Sequence, residues 1–239
     1  MNYSWNWAVL IQQPYLDWLV SGLGLTLVIS LAAWTMALLV GTLVGVTGTL
    51  PHRLPRSFAA IYVGLFRNIP LLLQLFLWFF VVPELLPSEW GHWLKRDLPF
   101  PEFWTSILAL GLFTSARVAV QVESGIAAVS GGQRMAAFAS GMSVGQAYRL
   151  VLLPQAFRIV LPPLTSDFLT IFKNSALALT IGVFELTAQS RQIESVTFQG
   201  FEAFTAATFV YLVIALLVTF FMRALERRVA LPDTMGATP

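Results

Sequence analysis

Cysteine is missing altogether from this chain of 239 residues, which excludes disulfides, thiolate metal sites and a cysteine nucleophile. Charge is scarce as well. Asp, Glu, Lys and Arg make up 11 % of the chain against 57 % hydrophobic residues, which is not the composition of an ordinary soluble domain. The only lysines, Lys95 and Lys173, do not follow glycine, so the chain has no G-K-[ST] phosphate loop. No pair of aspartates lies within the apolar runs, and no Ser, Thr or Glu is spaced for nucleophilic work. Residues 1–17 hold no Lys or Arg and so lack the basic n-region of a signal peptide. The two histidines, His52 and His92, fall in segments expected on opposite sides of a membrane and cannot share a metal. The inventory leads to no enzyme, cofactor or metal site, and a net charge of +2 gives no reason to expect a nucleic-acid partner.

What the chain has is long apolar runs. A helix needs about 20 residues to cross a bilayer. Five runs meet that length, at about 18–48, 58–82, 104–122, 157–184 and 203–222. The expected fold is all-α, a polytopic membrane protein forming a single transmembrane domain over residues 1–239. Trp5, Trp7, Tyr15 and Trp18 up to the start of the first run, and Trp90, Trp93 and Trp104 up to the start of the third, suit the headgroup level. Gly41 and Gly45 allow a close helix contact, read as plain packing rather than a dimer motif. Pro162-Pro163 near the start of the fourth run is expected to be wedged among other helices, because open backbone groups are costly in lipid.

Charge orients the runs. Five spans place segments 1–17, 83–103 and 185–202 on one side, with three basic and eight acidic residues. Segments 51–57, 123–158 and 223–239 fall on the other, with eight basic and three acidic. The positive-inside rule puts the second group in the cytoplasm, so the N-terminus lies outside and the C-terminus inside.

Between the third and fourth runs, residues 133–154 are too polar to cross a bilayer. Met135, Ala136, Phe138 and Ala139 give a short helix an apolar side, Gly141 breaks it, and Ser143 can cap a second short helix over 144–152. Two short helices outside the membrane suit either a docking surface or an ordinary interfacial amphipathic segment.

The spacing Ala136-Ala137, Gly141, Leu153-Pro154 resembles the cytoplasmic loop of permease subunits of ABC importers. RNIPLLLQLFLWFF from Arg67 and LPPLTSDFLTIFKNSALALTIG from Leu161 resemble membrane segments of the polar amino acid permeases, and the resemblance runs from about Tyr15 to Leu231. WNW near the start, VVPELLP, FTSARV and LPPLTS resemble the acidic amino acid branch. The resemblance implies a subunit of a bacterial inner-membrane importer for glutamate or aspartate. It also implies partners: a dimer of cytoplasmic ATP-binding subunits, a second permease chain (a paralogue) and an external substrate-binding protein. Coupling to ATP would run through Met135, Ala136, Ala137, Gly141, Ser143, Leu153 and Pro154, with Met135 standing where the family has glutamate. A permease for another polar amino acid, or a helical channel or scaffold not coupled to ATP, are the alternatives.

Four charges remain inside the runs: Arg67, Arg117, Asp167 and Lys173. Each costs about 2.5–3.5 kcal/mol to insert, so each should face protein or water. On straight helices Arg67 and Asp167 lie about 14 Å from the cytoplasmic end, Arg117 lower, and Lys173 and Asn174 higher. Asp167 can pair with Arg67 or Arg117 simply to hold helices together. Asp167, Thr170 and Asn174 share one helical face, which suits either a ligand or bonds between helices. Compared with the A-Y-x-x-E of the permeases it resembles, Ala116-Arg117-Val118-Ala119-Val120 gains a cation and loses a carboxylate. Both changes favour an anionic ligand.

Overall fold

A computed structural model describes residues 3–229. The end of the expected cytoplasmic tail, with Asp233, lies outside the described residues. Every regular element among the described residues is helical: α1 (Tyr15–Thr49), α2 (Arg53–Asn68), α3 (Leu71–Leu85), α4 (Pro101–Ala128), α5 (Gly131–Ala139), α6 (Val144–Ile181), α7 (Leu186–Thr197) and α8 (Gly200–Val229), besides short turns at Trp7–Ile11 and Ser88–Asp97. Three of these, α1, α4 and α8, are long and apolar enough to cross a membrane alone. The total reaches five if α2 with α3, and α6 with α7, each count as one span. The chain is a multi-pass helical membrane protein.

Prolines set several of the boundaries. Pro101 opens α4, where its missing N–H is no loss. Ile69 precedes Pro70, and the clash with the proline ring drives it out of the helical region. The expected run 58–82 is therefore two helices, α2 and α3, and the straight-helix depth of Arg67 does not carry over. Pro83 and Pro154 do not end their helices. Each follows a π-turn, Leu77–Val81 and Tyr148–Leu152, in which the next N–H bonds five residues back (Val82 to Leu77, Leu153 to Tyr148). The wider turn makes room for the ring. For the same reason 144–152 is not the separate second short helix that the spacing suggests, but the first turns of α6.

The fold divides into two compact units. The first comprises residues up to Thr35, Ile69–Gly111 and Thr170–Leu217. Its core holds Ile29, Leu75, Ile171, Leu186 and Ile193, together with two fully buried carboxylates, Glu185 and Glu202. Glu202 accepts from the Tyr3 hydroxyl and, at 2.7 Å, from the Asn6 amide, which ties the start of the chain to α8. The second comprises Met36–Asn68, Leu112–Leu169 and the chain from Val218. Here α1 lies directly on α4. A Cβ at Gly41 would stand 2.6 Å from Val118 Cβ, and one at Gly45 2.6 Å from the Ala119 carbonyl, so the pair is used inside the chain. Val44, Ala59 and Ala119 close the core of this contact, with Tyr62 packed against them. In α6 Leu164 is buried, while Pro162 and Pro163 are exposed on the surface of this chain.

Candidate functional site

Three helices of the second unit build one polar site. On α4, Arg117 and Gln121 stand four residues apart and so share a face. Asp167 comes from α6, where its carboxylate is 1 % exposed. Its Oδ1 accepts from Arg117 Nε at 2.6 Å, and its Oδ2 accepts from Gln121 Nε2. Of the two cations that Asp167 could have paired with, the structure selects Arg117. An isolated buried carboxylate would be expensive, and pairing with one cation and one neutral amide donor offsets that cost.

Arg117 is not buried with its partner. Its side chain is 43 % exposed and lines a cavity of about 380 Å³ together with Arg67, Phe113, Val120 and Gln121. The ion pair uses Nε, which leaves the terminal N–H donors of the fork for the cavity. Arg67 lies in the last turn of α2 and forms no ion pair among the described residues. A bond of 2.7 Å between Tyr62 and Ser115 holds α2 to α4 below it. Two guanidiniums thus share one cavity with a single carboxylate behind them. Val120 lines the same space, so the position marked in the sequence as a missing acid faces the two cations.

Thr170, Lys173 and Asn174 lie farther along α6, within the first unit, with Lys173 exposed and Asn174 half-buried. Gln121 is the site residue that sequence reasoning missed. It is uncharged and disappears in an apolar run; its position four residues after Arg117 was the one available signal. Its Oε1 is buried with no hydrogen-bond partner among the described residues. No group of three His, Cys, Asp or Glu among the described residues could hold a metal.

The loop forms a second polar feature. Ser130 caps α5, accepting from Gln133 N at 3.3 Å. At the other end Gly141 takes φ +78°. Its N–H bonds Phe138 O at 3.0 Å, and Met142 N–H reaches Ala137 O at 3.2 Å, a Schellman stop that requires a left-handed residue. Ser143 then opens α6 with a capping box to Gln146. Ala137 is buried, while Met135 is 69 % exposed, with Ala136 and Phe138 exposed beside it. Leu153 is half-buried, and Pro154 is exposed where α6 continues.

A bundle of membrane helices with an exposed, capped loop and a charged cavity has the parts of a solute-transport subunit. Residues 37–231 match the binding-protein-dependent transport system inner membrane components, and the chain belongs to that family. It is a permease subunit of the ABC importer type. It is 43 % identical to the glutamate/aspartate import permease protein GltJ of Escherichia coli K12, over 99 % of both chains. It is also 30 % identical to the arginine transport system permease protein ArtQ of Bacillus subtilis, over 92 % of this chain and 96 % of that one. Among solved structures, an amino acid ABC transporter crystallised with histidines aligns at a TM-score of 0.78 and 30 % identity, over 95 % of this chain and all of that one. The methionine transporter MetNI aligns at 0.74 and 20 % identity, over 92 % of this chain and all of that one, and so shares the fold.

Proposed function

We propose that this chain is the permease subunit of an importer for glutamate and aspartate, seated in the bacterial inner membrane as one transmembrane domain with its N-terminus outside. ATP is hydrolysed by a separate dimer of cytoplasmic subunits that engages the 133–154 loop. A second permease chain, a paralogue, completes the pathway, and an external binding protein delivers the substrate. In the loop Met135, Ala136 and Ala137 present α5, Gly141 and Ser143 fix its angle, and Leu153 and Pro154 continue the motion into α6. Along the pathway Arg117 and Arg67 meet the substrate, and Thr170, Lys173 and Asn174 line its continuation.

The observation that carries the substrate sign is the pair Arg67 and Arg117 on one cavity, with Val120 supplying no carboxylate. Two guanidiniums in a low-dielectric site repel a cationic ligand and offer a planar fork to a carboxylate. The similarity to GltJ, a glutamate/aspartate permease by name, supports the same reading.

The test is uptake of labelled glutamate, glutamine and arginine by the intact complex in proteoliposomes. Glutamate should be carried and arginine excluded, and Arg117→Ala should cut glutamate uptake roughly tenfold or more, the scale of a lost charge-assisted bond. Unimpaired glutamate uptake by Arg117→Ala would refute the role of Arg117, and arginine uptake by the native complex would replace the substrate class. Coupling is tested in the same vesicles by Gly141→Asp. Nothing lies within 4 Å of a Cβ there, so the added side chain fits in space and meets only the left-handed backbone, a cost of about 1 kcal/mol. The variant should insert normally yet lose ATP-driven uptake. Normal uptake would remove the docking role from this loop.

A further inference from the structure

Asp167 is badly placed to touch a substrate. It is nearly inaccessible, whereas Arg117 and Gln121 reach the cavity from the same helix face. Both of its oxygens are occupied, Oδ1 by Arg117 Nε and Oδ2 by Gln121 Nε2. The choice of nitrogen matters. A carboxylate that took both terminal nitrogens of Arg117 would occupy the edge needed to bind a second one. A carboxylate at Nε restrains the plane of the guanidinium and leaves the terminal edge unspent. Gln121 completes the hold: with Oδ2 fixed, Asp167 cannot swing to follow the guanidinium.

We infer that Asp167 and Gln121 are positioning residues, which hold Arg117 so that its terminal nitrogens receive a carboxylate of the transported acidic amino acid in the cavity shared with Arg67. This rests on the acidic-substrate reading above. Pre-orientation lowers the entropy lost on binding, so its removal weakens ligand capture before it slows turnover. The charges fit the same ligand. Arg67 and Arg117 against Asp167 leave one positive charge at the cavity, and an amino acid with two carboxylates and one ammonium carries one negative charge.

The experiment is a double-mutant cycle on the intact complex in proteoliposomes, with L-glutamate as the probe and Asp167→Asn, Arg117→Ala and both changes together. Asp167→Asn keeps the side-chain volume but gives Arg117 only a neutral partner. It should raise the glutamate KM about tenfold with a smaller effect on maximal rate. In the Arg117→Ala background the same change should add less than about twofold, because there is no fork left to orient. Effects that multiply in full, or a lowered maximal rate at unchanged KM, overturn the inference and leave Asp167 as a pin between helices. Gln121→Met is the second variant, since it removes the amide while keeping the ion pair. A rise of about threefold in KM supports the positioning role, and an unchanged KM overturns it even where Asp167→Asn does not assemble. Uptake by the native complex is read first. If it carries neither glutamate nor aspartate, the substrate reading fails with this one, whereas variant failures alone leave that reading standing.

Discussion

Glu185 and Asp167 are both buried carboxylates on helices of the same membrane protein, and they are satisfied in opposite ways. Glu185 precedes α7 and caps it. Its Oε1 accepts from Ala188 N at 2.8 Å, and its Oε2 accepts from Thr187 N at 3.0 Å and from the Tyr211 hydroxyl at 2.7 Å. It forms no ion pair among the described residues, and the positive end of the helix dipole supports its charge. Asp167 is held instead by two side-chain donors and depends on a cation that reaches into a cavity. Neutral donors fixed in the backbone hold structure and offer nothing to a ligand. A partner that is half in solvent can hold and bind at once. Burial alone therefore does not separate a structural acid from one near a site; the exposure of the partner does.

The largest effect on stability is expected from breaking the cap. Glu185→Ala removes the acceptor for two backbone amides and a buried hydroxyl, a loss of about 3 kcal/mol. Glu185→Gln keeps one oxygen for the amides and should lose about half as much. Thermal unfolding of the complex in detergent measures both. The surviving Glu185→Ala protein should keep its glutamate KM, the reverse of the result expected for Asp167→Asn. A raised KM at unchanged stability would erase the contrast between the two acids.

How much of this was readable beforehand depends on what the bilayer enforces. The lipid demands long apolar runs and leaves basic residues on one side, so the helical, multi-pass character is written plainly in the composition. Helix breaks are written less plainly. Pro70 interrupts a run and Pro154 does not, because a π-turn precedes the second; whether such a turn forms depends on packing rather than on the residue itself. The Schellman stop at Gly141 was legible because a glycine between two polar-flanked segments has few other uses. At the site the charged members stood out against their apolar surroundings, since charge there needs a reason. The choice of Arg117 over Arg67 as the partner of Asp167 needed the third dimension. So did Gln121, whose amide carries no charge to mark it.

The smallest effect expected, and the finest probe of the comparison, is at Tyr211. Its hydroxyl donates to Glu185 Oε2 and lies 3.2 Å from Thr187 Oγ1. Tyr211→Phe removes this one donor and leaves the ring in place. Oε2 still accepts from Thr187 N, and Oε1 from Ala188 N, so the carboxylate stays capped. Losing a single hydrogen bond whose acceptor keeps other partners costs about 1 kcal/mol. For a chain of this size that corresponds to roughly 2–4 °C in unfolding temperature. Glutamate KM should not move. A loss as large as that of Glu185→Ala would mean that the tyrosine, rather than the helix terminus, carries the acid, and the cap would then depend on a side-chain partner much as Asp167 does.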